Sequence, residues 1–276
     1  MKIGIATFIT DEGIRPGPLG AALEERGFSS LLVTEHSHIP ASRETPYALG
    51  GELPKVYYRT LDPFVALTAV AATTRTLKLA TGITLVAQRD VIHTAKEVAS
   101  LDLVSDGRVI FGVGVGWNRE EMRNHGTDPA TRGEKMDEQL AALKEIWSKE
   151  QAEFHGKYVN FDPIFAWPKP VQSPNPPIYI GGQSPAALNR LLRFGDGWMP
   201  LGTPSVDELT RVRTWLADNG RPDLPVIIFA LSRDPGALAS YAEAGVEEVA
   251  LILPTQAEAE TLTDLDQLAK LAESIS

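Results

Sequence analysis

The ionisable side chains best suited to chemistry sit together in Glu35-His36-Ser37-His38. The two histidines stand in an H-x-H spacing that could ligate a metal with Glu35 as a further donor. An imidazole beside a carboxylate could equally move a proton near neutral pH. Ligand arithmetic disfavours the metal. A catalytic ion needs three or four donors drawn from several strands, whereas the later strand ends offer Gly, Gln, Pro and Leu. Alternate strand residues also face opposite ways, so Glu35 and His36 cannot both point inward while the strand continues. Two glycine-bearing stretches are the other candidates. Gly181-Gly182-Gln183-Ser184-Pro185 follows one apolar run and precedes a helical period. Glycine lets a backbone approach a ligand, and the free N–H groups of a starting helix favour an anion such as phosphate, although the same turn also serves as a plain connection. Gly112, Gly114 and Gly116 alternate along a third stretch. Strand glycines mark close approach of another backbone or of a flat ligand, or tight packing at a barrel corner. Their even spacing lacks the turn of a G-x-G-x-x-G dinucleotide loop. Trp117, which follows, could be core, lid or a ring-stacking residue.

The elements that must position these residues read clearly. Eight β-branched runs occur at 2–8, 30–35, 77–86, 108–115, 178–181, 197–201, 226–231 and 247–253. Val226-Ile227-Ile228-Phe229-Ala230-Leu231 and Val249-Ala250-Leu251-Ile252-Leu253 are apolar without alternation, as parallel strands covered on both faces require. Between the runs, Ile92/Ala95/Ala99/Leu103, Met136/Leu140/Leu143/Trp147, Val206/Leu209/Val212/Leu216 and Leu265/Leu268/Leu271 repeat at helical spacing. Asp62-Pro63, Ser184-Pro185, Ser205 and Asp234-Pro235 supply helix starts. Strands alternating with helices through right-handed crossovers close into a barrel and leave no sheet edge. The expected fold class is α/β, a (β/α)8 TIM barrel spanning residues 1–276 as one domain. Its lid insertions fall at 38–60, 118–131 and 151–177, the last opening on a short hairpin near 154–159.

Composition narrows the chemistry further. With 26 Lys+Arg against 36 Asp+Glu and a net charge of −10, the chain is repelled by phosphate backbones and anionic lipid, so neither nucleic acid nor membrane is an expected partner. The absence of cysteine removes disulfides, thiolate metal sites and thiol nucleophiles. No apolar run approaches membrane-spanning length and no secretory signal precedes the first strand, which makes a cytoplasmic protein the expectation. Barrels of this kind carry their sites at the strand carboxyl ends. Those ends hold too few ionisable groups for hydrolysis, so a bound redox ring is expected to carry the reaction, with the protein orienting it and supplying one proton.

Thr34-Glu35-His36, Leu79-Ala80-Thr81-Gly82-Ile83, His93 to Ser105 with Asp106-Gly107-Arg108, Phe111-Gly112-Val113-Gly114-Val115-Gly116-Trp117, and Ile180-Gly181-Gly182 leading to Gly195-Asp196-Gly197-Trp198 together resemble the bacterial-luciferase-like superfamily of flavin and deazaflavin oxidoreductases. The likeness covers nearly the whole chain. It implies a non-proline cis peptide at Gly82-Ile83 behind the cofactor ring, and a phosphate-binding turn at Gly181, Gly182, Gln183 and Ser184. It also implies a cofactor site bordered by Phe8, Gly114, Gly116 and Trp117. Glu35 and His36 match an acid-histidine pair beside the ring, with His36 as proton relay, or merely as a partner of the cofactor, and Glu35 orienting it. In the sugar-phosphate dehydrogenase branch a carboxylate stands at the position of Trp117, which argues against a sugar phosphate. Gly116-Trp117-Asn118-Arg119-Glu120-Glu121 instead looks like proteins assigned to coenzyme F420.

The resemblance therefore implies hydride transfer between coenzyme F420 and a small organic substrate, in a homodimer. The alternatives are an FMN-dependent monooxygenase, a non-catalytic flavin-binding protein and, as an outsider, a metal-dependent hydrolase. Arg43, Lys55, Arg59 and Arg119 could meet an anionic coenzyme tail or remain solvated. Tyr57, Tyr58 and Trp167 are expected to shape the substrate pocket.

Overall fold

The computed structural model describes residues 1–47, 50–230 and 232–275. In chain order the elements are β1 (Lys2–Thr7), α1 (Pro16–Glu25), β2 (Ser30–Val33), α2 (Pro63–Ala71), β3 (Lys78–Thr81), β4 (Thr84–Leu85), α3 (Val91–Val104) and β5 (Val109–Gly114). There follow α4 (Arg119–Asn124), α5 (Arg132–Ser148), β6 (Gln151–His155), β7 (Asn160–Phe165), β8 (Ile178–Gly181), α6 (Pro185–Phe194) and β9 (Gly197–Met199). The chain ends with α7 (Val206–Asp218), β10 (Ile227–Ala230), α8 (Pro235–Glu243), β11 (Glu248–Ile252) and α9 (Glu258–Ser274). Parallel strands run in the order β10-β11-β1-β2-β3-β5-β8-β9, and a parallel bridge between Trp198 and Val226 joins the last to the first. The sheet closes on itself as the expected (β/α)8 barrel.

Each expected strand is present, most of them a residue or two shorter. The exception is 77–86, which breaks into β3 and β4. Leu79 and Ala80 pair with Val109 and Ile110, whereas Thr84 and Leu85 pair with Val113 and Gly114. Four steps on one strand face three on the other, so this stave carries one surplus residue and bulges. Leu231, expected to end the seventh strand, lies outside the described residues. The 151–177 insertion begins with the antiparallel pair β6–β7, a longer hairpin than 154–159.

Strand alternation builds two cores. Ile5, Leu31, Leu79, Phe111, Ile180 and Leu251 turn outward into the layer shared with the helices. Ala6, Leu32, Ala80, Ile110, Tyr179, Met199, Ile227 and Ala250 fill the lumen, which is why these strands read as unbroken apolar runs. All four expected starts are made. The side chains of Asp62, Ser184, Ser205 and Asp234 accept N–H groups from the first turns of α2, α6, α7 and α8. On α3 the expected stripe is rotated: Ala95 and Ala99 are buried, but Ile92 and Leu103 are exposed. The inner face instead holds Asp102, fully buried because its carboxylate accepts both the backbone N–H (2.9 Å) and the side-chain amide (2.7 Å) of Gln172. An apolar count cannot place a carboxylate there.

Two polar side chains tie the amino-terminal end of the barrel. Arg108, in the Asp106-Gly107-Arg108 stretch, is buried and directs its guanidinium to the carbonyls of Ala71, Thr74, Leu77 and Ser105 and to the Thr74 hydroxyl. It thereby closes the carboxyl end of α2. Glu24, near the end of α1, accepts the N–H groups of Arg75, Thr76 and Leu77 and the Thr76 hydroxyl. Partial burial opposes its charge, but these donors outweigh it and lower the carboxyl from 4.5 to about 2. A depressed carboxylate stabilises the fold above its unfolded value and loses that contribution as pH falls through the folded one. Glu24→Gln should therefore be less stable than wild type in urea at pH 7. The gap between their midpoints should narrow steadily from about pH 4.5 towards pH 2; a gap that does not change with pH contradicts this account.

Candidate active site

At the carboxyl-terminal mouth of the barrel His36 stands just beyond the end of β2, buried beneath a group of aromatic rings. Its ring centroid lies 5.3 Å from Tyr57 and 5.7 Å from Trp117, and Tyr57 in turn packs on Phe8 at 4.6 Å and Tyr47 at 5.4 Å. The Tyr47 and Tyr57 hydroxyls are 3.2 Å apart, and burial followed by this hydrogen bond pushes the Tyr57 hydroxyl up, so that it stays protonated. Both His36 nitrogens are engaged: Nδ1 lies 2.8 Å from Glu121 Oε2, and Nε2 accepts the Trp117 indole N–H at 3.3 Å.

Glu121 is the residue that sequence reasoning missed. It is fully buried on the short helix α4, whose start Asn118 caps by accepting the Glu121 N–H. Asn118-x-x-Glu121 has the spacing of a capping box, in which the acid folds back on its own helix. Here the carboxylate reaches away instead, to the Ser37 N–H at 3.2 Å and to His36.

Glu35 does not orient His36. Its oxygens accept the Leu85 N–H and the Arg89 Nε–H, both at 2.6 Å, on the outer side of the barrel wall. The opposite facing of neighbouring strand residues continues past the end of β2. Burial raises the Glu35 carboxyl, and Arg89 opposes that rise. Arg89 also holds Asp62 and Glu97 and lies over the Phe64 ring.

The alternating glycines accommodate the bulge. A Cβ on Gly112 would fall 2.0 Å from the Thr81 carbonyl oxygen, and one on Gly114 would fall 2.0 Å from Ile83 Cδ1. The Gly82-Ile83 peptide is cis. The room left by Gly114 is thus filled by Ile83 rather than by open space, and Gly181 borders the same side chain. Gly116 has φ +77° and is hemmed by Met122, Gln88 and Leu85, so it serves the turn that delivers Trp117. Half-buried Ile83, Phe229 and Ile252 pack on the lumen core and form an apolar floor.

Across the mouth, Gly182 takes φ +94°, donating its N–H to Met199 and accepting the Trp198 indole N–H. The Gln183 side chain is spent on the Leu201 backbone, and the Ser184 hydroxyl caps α6. Among the described residues no acceptor meets the backbone N–H groups of Gln183 and Ser184. The Thr34 hydroxyl is buried without a partner. An apolar floor, an orphaned hydroxyl and two free N–H groups fit a flat ring carrying a phosphate.

Of the expected tail-binding cations, Lys55 is paired with Glu12 and Arg59 with Asp11. The Arg119 backbone N–H meets the Thr45 hydroxyl, and one guanidinium nitrogen of Arg43 is buried without a partner. Tyr58 and Trp167 are exposed. No cluster of three or more His, Asp or Glu capable of holding a metal occurs among the described residues, nor does any helix there have the length and apolarity to cross a membrane.

The model of the luciferase-like monooxygenase family matches residues 18–244. The chain belongs to that family. An uncharacterized protein of Mycobacterium tuberculosis is 38% identical to this luciferase-like chain over 283 aligned positions, covering 99% of each. An FMNH2-dependent dimethylsulfone monooxygenase of Pseudomonas putida is 32% identical over 148 positions, covering 51% of this chain and 40% of that one. In structure, an F420-dependent secondary alcohol dehydrogenase solved with an F420-acetone adduct superposes with a TM-score of 0.77 over the full length of both chains at 17% identity.

The two strand glycines of this luciferase-like barrel differ in what they touch. Gly112→Ala meets backbone and should abolish soluble expression or cost several kcal/mol. Gly114→Ala meets the tip of a side chain, so Ile83→Val, which removes Cδ1, should restore most of the lost stability in the double variant. Additive losses in thermal unfolding would contradict the packing described.

Proposed function

We propose that this luciferase-like chain is an oxidoreductase that transfers a hydride between coenzyme F420 and a small organic substrate. The observation that carries this reading is a single buried imidazole-carboxylate pair, His36 with Glu121, at the barrel mouth beside an apolar floor. One proton site is too little for hydrolysis without a metal, and it matches a two-electron transfer in which one hydride and one proton change hands.

When bound, the deazaflavin supplies the hydride chemistry. Ile83, Phe229 and Ile252 would support its ring, and the N–H groups of Gln183 and Ser184, reached past Gly182, would hold its phosphate. Phe8, Tyr47, Tyr57 and Trp117 would exclude water above it, which strengthens every electrostatic contact inside. His36 would take or give the substrate proton. Glu35, bonded to Leu85 and Arg89, would act only by fixing the end of β2 from which His36 projects.

A second reading, an FMN-dependent monooxygenase, is favoured by the dimethylsulfone monooxygenase similarity over about half of the chain. A fluorescence titration of the purified protein with coenzyme F420 and with FMN separates the two. The expected result is saturable binding of F420 at micromolar or lower concentration, weaker binding of FMN, and a His36→Ala variant that keeps F420 affinity within about threefold while losing substrate-dependent redox change. Tighter FMN binding would move the assignment to the monooxygenase. Binding of neither would overturn the cofactor assignment, and unchanged redox turnover in His36→Ala would overturn the role of His36.

A further inference from the structure

The hydrogen bonds around His36 determine which of its nitrogens is free to work. An ionised carboxylate can only accept, so Glu121 at 2.8 Å requires a proton on Nδ1. An indole N–H can only donate, so Trp117 at 3.3 Å requires a lone pair on Nε2. The two contacts select the same neutral tautomer from opposite sides of the ring. The second Glu121 oxygen is occupied by the Ser37 N–H, and the Asn118 cap sets the start of the helix that carries Glu121, so neither side chain is free to swing.

We propose that Glu121 is the positioning residue of the reaction, acting through His36. It fixes the tautomer in which Nε2 is the proton acceptor, so that the site takes an uncharged alcohol whose hydroxyl replaces the Trp117 indole N–H. The inference rests on the hydride-transfer reading for its chemistry, but its structural core does not require a cofactor. In the oxidation direction the hydroxyl proton passes to Nε2. With a deazaflavin bound as the two-electron acceptor, the carbon-bound hydrogen would leave to it with its electron pair, and the substrate carbon–oxygen bond would become a carbonyl. The substrate is oxidised by two electrons and the acceptor reduced by two. A ketone has no hydrogen to offer Nε2 and cannot replace the indole there. The buried Glu121 carboxylate repels an anion, so carboxylates and phosphate esters are disfavoured as the group placed at Nε2.

Histidine-labelled protein reports the tautomer directly through its ring nitrogen shifts. Wild type should show His36 protonated at Nδ1. In Glu121→Gln/Trp117→Phe, which also removes the indole donor at Nε2, the amide oxygen is needed by the Ser37 N–H, which turns the amide nitrogen, a donor, towards Nδ1. His36 should then switch to the Nε2-protonated form and lose its acceptor, as should any alcohol-dependent redox change, by 100-fold or more in kcat with little change in KM. Cyclohexanol should shift the Trp117 indole N–H resonance of wild type saturably, and cyclohexanone should not. If that double variant fails to fold, Trp117→Phe alone still tests the idea: it should retain the Nδ1-protonated ring and bind cyclohexanol several-fold more tightly, having no indole to displace. An Nε2-protonated ring in wild type, an unchanged tautomer in Glu121→Gln/Trp117→Phe, or an equal response to alcohol and ketone would overturn the proposal. Failure of F420 to bind with the Nδ1-protonated ring intact would count against the cofactor reading alone.

Discussion

One surplus residue in the third stave of the barrel shapes the site. Parallel strands in a closed barrel cannot slide to absorb an extra residue, so the chain between Ala80 and Thr84 must bulge where its neighbour β5 does not. The bulge brings the Thr81 carbonyl against Gly112 and Ile83 against Gly114 and Gly181, places that only glycine can leave vacant. It also follows the end of the ladder with β2, whose last pair is Val33 with Thr81. Past that point the Leu85 N–H has no strand partner, and the Glu35 carboxylate takes the place of the missing backbone acceptor. Glu35 is thereby committed to the outer side of the wall, and His36, next along the chain, is left at the mouth.

The buried acids follow a common logic. Glu35, Asp102 and Glu121 are each at least nine-tenths buried, and each meets two or more donors. Taking such a group out of water costs several kcal/mol that its contacts largely offset, so these groups define positions more than they add stability. They join segments distant in sequence: β2 to the turn after β4, α3 to the stretch before β8, and the end of β2 to α4. The loop after β2 and the helix after β5 are held to one another at His36–Glu121, and the aromatic cover formed by Tyr47, Tyr57 and Trp117 is assembled across that joint.

How much of this could be read from the chain depended on the range of the interaction. Strand runs, helix starts at Asp62, Ser184, Ser205 and Asp234, and hence the barrel, rest on neighbours within a few residues and were legible. The purpose of Gly112 and Gly114 depends on register against β3 and β4, which sequence leaves open between a ligand and a packing role. The inner face of α3 was misplaced because the Asp102 carboxylate is hydrogen-bonded by a residue 70 positions away. Glu121 was hidden twice, by 85 residues of separation from His36 and by a spacing that already had a local explanation as a helix cap. Pairing the two nearest acid-base residues, Glu35 with His36, was the natural error. Neighbours along an extended chain are the ones least able to meet.

Trp117 decides what the imidazole can do. A carboxylate at that position would place His36 between two acceptors. The indole reverses one of those contacts: it donates to Nε2, while the Glu121 carboxylate faces Nδ1. A barrel wall common to many chemistries is thus turned to a different proton balance by two residues four apart, one supplying a donor and the other an acceptor to the same ring.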